Sequence, residues 1–554
     1  MSVVPVSFLG TAAQYRCFLL VFLLCSVALP SSAQRFLRDD PLWTDPDRTD
    51  ITFPEARPAP EGIGPFEFLS RTFVVPGEYS EPAQNINTVG GVPNSSWYTN
   101  RHYRFPMSKA ELRRGPNVGA DPPRGGPWRV TRVRQEGELA RMVVRDTTGR
   151  RFTLHFDARA YPEMATGAAM IGSRLLYALG YNVPQHWLRR IRPARLVPAA
   201  DGGVTPADVD SVLAFAARRS DGTYRVLATR IPDVERRIGP FRFQGTRPDD
   251  GNDVFPHEDR RELRGLRIFA AWIHHTNIRP RHTLDVGVRD DGRRFVRHYL
   301  TDLHLTLGSD GASPKPRWAG HEYVLELDRV FERVTTLGLS GGEWAETDVP
   351  DWPAVGHFSA DHFDPTKWRP KWPNPAFQRC EAADAFWAAK QVRNFSEAEL
   401  KAIVATAEYS SPQVGEYILR TLLRRRNAIG RAYLRWGGGL GRFAVQGGQL
   451  AFQDLRAKYA LAPDSLRRTV TWHVYDNQQE AIGRRLLRMQ SSRESIPIPW
   501  TNAAFLRATL HAPQVGSTRV FLRRVRSAAT SPLEFSGSYE VVGVERQGTA
   551  EDAP

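Results

Sequence analysis

The chain has 554 residues, and 41% of them are hydrophobic, which is typical of a globular protein with a substantial core and about two to four domains. It carries 75 lysines and arginines against 60 aspartates and glutamates, so its formal net charge is +15. The arginines are dispersed and are not gathered with aromatic residues in a binding module, which argues against a nucleic-acid partner. We expect solvated basic surfaces, with attraction to an anionic envelope surface as the alternative.

Residues 1–34 have the pattern of a secretory signal peptide. Arg16 supplies a positive charge, residues 17–30 form an apolar run, and small residues follow up to Gln34. A membrane anchor is the alternative, but the run is shorter than the roughly 20 residues of a membrane-spanning helix. We therefore expect export to the periplasm or beyond, with no transmembrane segment in the mature chain. Cleavage would leave Cys380 as the single cysteine, which excludes an internal disulfide framework.

Residues 35–120 are rich in proline and aspartate and show little periodicity. This composition predicts an extended N-terminal arm that wraps other domains. Within the arm, Trp97 and Tyr98 follow Gly-Gly and Val-Pro turns, a pattern typical of a loop pinned by aromatic side chains.

Residues 121–235 predict a small α+β lobe. Alternating polar and apolar residues from Trp128 indicate an antiparallel meander that ends at His155. Helical spacing of apolar residues follows, and Gly180 stops that helix. A second strand pair then turns at residues 220–222.

Residues 236–436 are predicted to be mainly helical, beginning with an apolar stripe over residues 257–275. The acidic stretch 247–258 is interpreted as the approach to this helix, with a cation-holding loop as the alternative. Residues 437–554 contain short alternating strands after a glycine-rich break, which predicts a separate β-sandwich-like C-terminal module.

Antiparallel strands with one helix, then a second helix, a loop, a hairpin and an aspartate are the order of parts in a protein kinase. The chain also resembles, over nearly its whole length after residue 34, an uncharacterised family of exported bacterial proteins with a kinase-like core. That family is distantly similar to spore-coat kinase and HipA-like proteins. The resemblance is carried by VPNSSWYTNR, YPEMATGAAMIGSRLLYALGYNVP, GTRPDDGNDVFPHEDRRELRGLRIFAAW, HTLD and HYLTDLHLTLGS. It implies an α+β fold whose bilobal kinase-like core has an antiparallel-sheet lobe and a helical lobe.

In a protein kinase, a loop aspartate orients the substrate hydroxyl, an asparagine and a second aspartate bind metal, and a strand lysine pairs with the phosphates. The resemblance places Asn277 at the loop aspartate and His155 at the lysine. It places His282 at the metal-binding asparagine and Asp302 at the metal-binding aspartate. Asn277 cannot accept a proton as a carboxylate does, and His155 lacks the reach and fixed charge of lysine. The helix glutamate is absent unless Glu163 serves.

These departures favour a pseudokinase-type binding or scaffold protein of the cell envelope over an enzyme. Its partner would be a ligand in the cleft between the lobes or a protein on the C-terminal module, and the oligomeric state and cofactor are left open. One alternative is an atypical phosphotransferase in which Asp302 holds Mg²⁺ or another divalent metal, with or without nucleotide. Another is a cleft repurposed as a zinc or ferrous-iron site formed by His155, His282 and Asp302.

Overall fold

The fold is mixed α+β, with four sheets in the part of the chain that can be described. The computed structural model describes residues 34–57, 81–136, 139–201, 203–232, 234–324, 347–461, 466–513, 515–525 and 538–548. The predicted signal peptide lies outside these residues, apart from Gln34. Among the described helices, none has the length and apolar character needed to cross a membrane.

The described parts of the N-terminal arm lie along later parts of the chain. Phe36 packs on three aromatic rings of the C-terminal sheet. Trp97 is buried and stacks on His298, with ring centroids 3.6 Å apart. The short helix α1 (Lys109–Arg114) begins after Ser108, whose hydroxyl caps it. Backbone and aromatic contacts therefore hold the arm in place without a core of its own.

A six-stranded sheet follows the arm. Its strands are β1 (Trp128–Glu136), β2 (Leu139–Arg145), β3 (Arg151–Phe156), β4 (Gln185–Ile191), β5 (Leu196–Pro198) and β6 (Tyr224–Arg230). The spatial order is β4-β6-β3-β2-β1-β5, and only the β1–β5 pair is parallel. Helix α2 (Met164–Ala178) joins β3 to β4, and helix α3 (Pro206–Phe215) precedes β6. Apolar residues of α3 share one core with the sheet face beneath it.

The middle of the chain combines a second sheet with most of the helices. The sheet has the order β7-β8-β9, formed by β7 (Val234–Gly239), β8 (Thr283–Asp290) and β9 (Arg293–Leu300). The helices are α4 (Arg261–Trp272), α5 (Pro375–Gln378), α6 (Ala382–Asn394), α7 (Glu397–Val404) and α8 (Pro412–Tyr433). Apolar side chains of α2, α4, α6, α7 and α8 form the largest core of the described structure.

The C-terminal part contains two sheets that share one apolar core. Its strands are β10 (Leu440–Gln446), β11 (Gln449–Asp454), β12 (Arg468–Asp476), β13 (Ala481–Ser491), β14 (Ser495–Pro497), β15 (Phe505–Ala512), β16 (Gly516–Arg524) and β17 (Tyr539–Gln547). One sheet has the order β10-β11-β14 and the other β13-β12-β15-β16-β17. A short helix, α9 (Leu455–Lys458), follows β11.

The helix predicted over residues 257–275 is shorter and more deeply buried than its sequence pattern indicates. A 3₁₀ turn occupies His257–Asp259, and α4 ends at Trp272. The side chains of Glu262 and Arg264 are fully buried. Arg264 donates to Asp259 over 2.7 Å, so charged residues of this helix are paired inside the fold and it shows no solvated face.

Gly180 follows the end of α2 with a φ of 113°, which costs other residues conformational energy. A Cβ there would lie 2.2 Å from Tyr98 Cε2. Gly180→Ala is therefore expected to lower the free energy of unfolding by about 2–4 kcal/mol. Gly149 is the matched control, because its φ is 82° but its Cβ would meet no atom within 4 Å. Urea denaturation should show a loss of about 1 kcal/mol for Gly149→Ala, and equal losses would contradict the steric explanation.

Candidate functional site

A cavity of about 990 Å³, which we call the cleft, lies between the six-stranded sheet and the β7-β8-β9 sheet. One wall is the face of β1, β2, β3 and β6 opposite α3. The other wall consists of β7, the start of β8 and residues 301–304, which follow β9. The cleft therefore brings together segments that are distant in sequence.

Strand pairing explains which side chains of the first wall face the cleft. Arg141 on β2 lies opposite both Arg134 on β1 and His155 on β3. Because successive side chains of a strand point to opposite faces, the neighbouring residues Met142 and Leu154 enter the core with α3. The three paired residues all line the cleft.

Asp302 lines the cleft at the end of β9, in a left-handed backbone conformation with a φ of 54°. Its Oδ1 lies 3.9 Å from Arg141 Nη1 and 3.9 Å from His304 Nδ1. Burial opposes ionisation of this carboxyl, but His304, His282 and Arg141 outweigh burial and hold its pKa below the ordinary value. The carboxylate of Asp302 is therefore ionised, and its nearest basic side chains are those of Arg141 and His304.

His155 lines the cleft beside Asp302 but is uncharged near neutral pH. Burial, together with His304 and Arg141, lowers the pKa of its imidazole to about 3. Its ring centroid lies 5.6 Å from that of His304. The fixed positive charge beside Asp302 is instead that of Arg141. Arg141 reaches this position because the strand register pairs it with His155.

Asn277 does not line the cleft. Its side-chain amide donates to Asp310 Oδ1 over 2.7 Å. The same carboxylate lies 3.8 Å from Lys315 Nζ and 3.6 Å from Lys371 Nζ. Asn277 is thus held in a polar cluster with two lysines, and the carboxylate of that cluster comes from the segment after β9.

His282 does not line the cleft, although its chain neighbours Arg281 and Thr283 do. Its Nδ1 donates to the backbone carbonyl of Asn277, and its own carbonyl accepts from Thr301. Burial lowers the pKa of His282 to about 4, although the nearby charge of Asp302 acts in the opposite direction. These contacts give His282 a role in shaping the loop that connects α4 to β8.

Metal binding needs several ligand side chains directed at one point. Within the described ranges, no group of three or more His, Cys, Asp or Glu side chains is placed to hold a metal ion. His155 and Asp302 line the cleft, whereas His282 does not. The three residues expected to form a His/His/Asp site are therefore not assembled as a ligand set in this structure.

The acidic stretch 247–258 is occupied by protein contacts. The carboxylate of Asp253 accepts from His257 over 2.7 Å, from Arg260 over 3.1 Å and from the backbone of Arg247 over 2.7 Å. These partners favour the interpretation of the stretch as a structural approach to α4.

The main feature that the sequence pattern did not reveal is the number of arginines in the cleft. Seven line it, against two carboxylates. They are Arg132, Arg134, Arg141, Arg151, Arg230, Arg237 and Arg281. The signal was present in the strands, where arginine recurs at alternating positions. Five of the seven are exposed, as the expectation of solvated basic surfaces has it, but that expectation did not place them around one cleft.

No protein-family model, no curated protein and no solved structure matches this chain. Function must therefore be inferred from the cleft itself. Its two distinguishing properties are one carboxylate, Asp302, beside neutral histidines, and an excess of guanidinium groups on the surrounding walls.

Proposed function

We propose that this chain is an exported kinase-fold protein with degenerate catalytic positions, which binds a ligand in the cleft without transferring a phosphoryl group. The order of elements supports a kinase-like bilobal core. An antiparallel meander, α2 and a further strand pair come first, followed by α4, a loop, the hairpin β8–β9 and Asp302. The cleft lies between these two groups of elements, where a bilobal fold binds its ligand.

The observation that carries the proposal is the chemistry at the four kinase-like positions. Phosphoryl transfer depends on a charged lysine, a loop carboxylate and two metal ligands. Here His155 is neutral, and the amide of Asn277 is bonded to Asp310. The ring of His282 is bonded to a backbone carbonyl. Only Asp302 retains the residue type, and a single carboxylate next to Arg141 is a weak ligand set for Mg²⁺.

A binding role at the cell envelope follows from these features together with the predicted export. The cleft would hold a ligand, and the C-terminal sheets would offer a surface for a protein partner. The proposed protein is thus a pseudokinase-type binding or scaffold protein, and an atypical phosphotransferase is the outcome that would displace it.

Turnover of nucleotide tests this proposal. The chain purified after export is expected to release no phosphate from Mg²⁺-ATP or Mn²⁺-ATP above a protein-free blank, and to transfer none to itself or to a general protein substrate. Asp302→Ala should give the same result, because no chemistry depends on that carboxylate. The exposed hairpin variant Asp290→Ala controls for the preparation. Turnover that Asp302→Ala abolishes and Asp290→Ala leaves intact would overturn the proposal in favour of a metal-dependent phosphotransferase.

A further inference from the structure

We infer that the cleft binds a small molecule carrying several phosphate groups, and that arginines of β1, β2, β3 and β7 neutralise it without a divalent metal. This inference rests on the proposed binding function and names the class of ligand. A planar guanidinium donates two parallel hydrogen bonds to a phosphate, which makes arginine the residue best suited to such a ligand.

The charge of the cleft walls is the first observation. Of the two carboxylates, Glu235 is engaged by Arg289 over 2.8 Å, and Asp302 lies beside Arg141. The cleft histidines His155, His186 and His304 supply no negative charge and remain neutral, since burial keeps their pKa values below the ordinary value. The cleft is consequently strongly positive.

The second observation is that most of these arginines have no protein partner. Among the described residues, six form no side-chain hydrogen bond or ion pair. They are Arg132, Arg134, Arg151, Arg230, Arg237 and Arg281. On the neighbouring hairpin, by contrast, Arg289 is paired with Glu235 and Arg294 with Asp50. Unpaired guanidinium groups facing one cavity can donate all their hydrogen bonds to a ligand.

The third observation is the crowding of like charges. Arg151 and Arg237 lie on opposite walls. The pKa of Arg237 is lowered by two causes, first by loss of solvent around the guanidinium and second by the positive charge of Arg151. Like charges held together repel each other, and an anion between them relieves that repulsion. The hydroxyl of Thr153 on the same wall adds a further donor, whereas that of Thr229 is bonded to His186 Nδ1.

The size of the cleft favours a ligand larger than a single phosphate. About 990 Å³ is at the upper end of ordinary small-molecule sites, and the arginines lie on both walls. One inorganic phosphate would leave most of the seven arginines without an anion, whereas a molecule with phosphates distributed around a ring or along a short chain can pair with several of them. A nucleoside triphosphate and a phosphorylated sugar or polyol share this chemistry.

Binding of defined polyphosphates tests the inference. Isothermal titration of the full chain in EDTA should detect binding of inositol hexakisphosphate and tripolyphosphate, with inorganic phosphate at least about 100-fold weaker. ATP in the same buffer distinguishes the sources: binding of ATP as tight as that of tripolyphosphate points to a nucleotide ligand, and weaker binding points to a phosphorylated polyol. Absence of binding by all polyphosphates would overturn the inference.

Two double variants, each of which removes two positive charges, separate binding at a specific site from general attraction of an anion to a basic protein. Arg151→Gln with Arg237→Gln removes two cleft arginines and should weaken binding at least about tenfold for each lost charge-assisted contact. Arg129→Gln with Arg236→Gln removes two exposed arginines of β1 and β7 that do not line the cleft, and should change the affinity less than about twofold. Equal weakening by the two variants would overturn the inference. Circular dichroism and the melting temperature confirm that both variants are folded.

The inference and the proposed function fail in different ways. Turnover of ATP that depends on Asp302 would overturn the binding-protein proposal and leave the arginine-lined site in place. A lack of affinity for any polyphosphate, with no turnover, would overturn the arginine inference and leave the binding-protein proposal intact.

Discussion

Asp285→Ala is expected to lower the free energy of unfolding by about 3–5 kcal/mol. Asp285 is completely buried on β8. Its Oδ2 accepts from Arg247 Nε over 2.9 Å and lies 2.7 Å from Arg247 Nη2, while its Oδ1 accepts from His298 Nδ1 over 2.7 Å. Removal of the carboxylate would leave the buried guanidinium of Arg247 without its main counter-charge.

The loss would extend beyond one ion pair because His298 connects Asp285 to the arm. Trp97 stacks on the His298 ring, and the Arg260 guanidinium lies 4.7 Å from the Trp97 ring centroid. Asp285 thus fixes the ring against which the arm is packed. Removing it should loosen the contact between residues 95–98 and the hairpin as well as the hairpin itself.

Urea denaturation followed by tryptophan fluorescence measures the effect of Asp285→Ala. Asp290→Ala is the matched control on the same strand, because its ion pair with Arg297 is half exposed and should contribute less than about 1 kcal/mol. Asp285→Asn keeps the shape and one acceptor and should fall between the two. If Asp285→Ala and Asp290→Ala cost the same, the buried cluster does not stabilise the fold as described.

Local features of the fold could be predicted from the sequence because their causes are local. Ser396 and Glu399 are spaced for a capping box, and the structure has that box at the start of α7. Alternation of polar and apolar residues predicted the meander that ends at His155, where β3 contributes that side chain. The bounds of α4 were less predictable, since some of its charged residues are paired with partners distant in sequence, as Arg261 is with Asp384.

The cleft could not be predicted to the same extent because it depends on strand register and on contacts between distant segments. Nothing near Asp302 in the sequence indicates that Arg141 would be its neighbour, since β2 and the segment after β9 are about 160 residues apart. The bond between Asn277 and Asp310 likewise joins a loop to a segment beyond the hairpin. The order of parts indicated where a cleft would lie, but the charge on its walls follows from the folded arrangement.

Acidification from pH 6.5 to 5 is expected to destabilise the fold on the order of 2 kcal/mol for each deeply buried histidine. His274 and His275 are at most 4% exposed. Burial, and then the nearby positive charges of Arg425 and Lys315, hold the pKa of His274 well below its ordinary value, and burial and Lys315 do the same for His275. The unfolded chain protonates both imidazoles as the pH falls below about 6.5, whereas the folded chain keeps them neutral.

The direction in which stability changes with pH follows from this difference in proton uptake. Because the unfolded state binds more protons than the folded state below about pH 6.5, the stability present above that pH is lost as the pH falls towards the depressed folded pKa values. The lowered pKa of Asp302 adds a further loss at more acidic pH. Asp45 opposes the trend, since its pKa is raised to about 6 by burial and by Asp47, so that protonation below that pH favours the folded state.

A comparison of variants isolates the contribution of one histidine. His275→Gln removes a titrating group from the interior, so its melting temperature should fall less between pH 6.5 and 5 than that of the unmodified chain, whatever its value at pH 6.5. His511→Gln removes an exposed histidine of β15 and should leave the pH dependence unchanged. Differential scanning calorimetry at four or more pH values measures both slopes. Parallel curves for His275→Gln and the unmodified chain would show that His275 is protonated in the folded state as it is in the unfolded state. The interior around α4 would then admit a charge that the burial of His275 and the nearby Lys315 are expected to exclude.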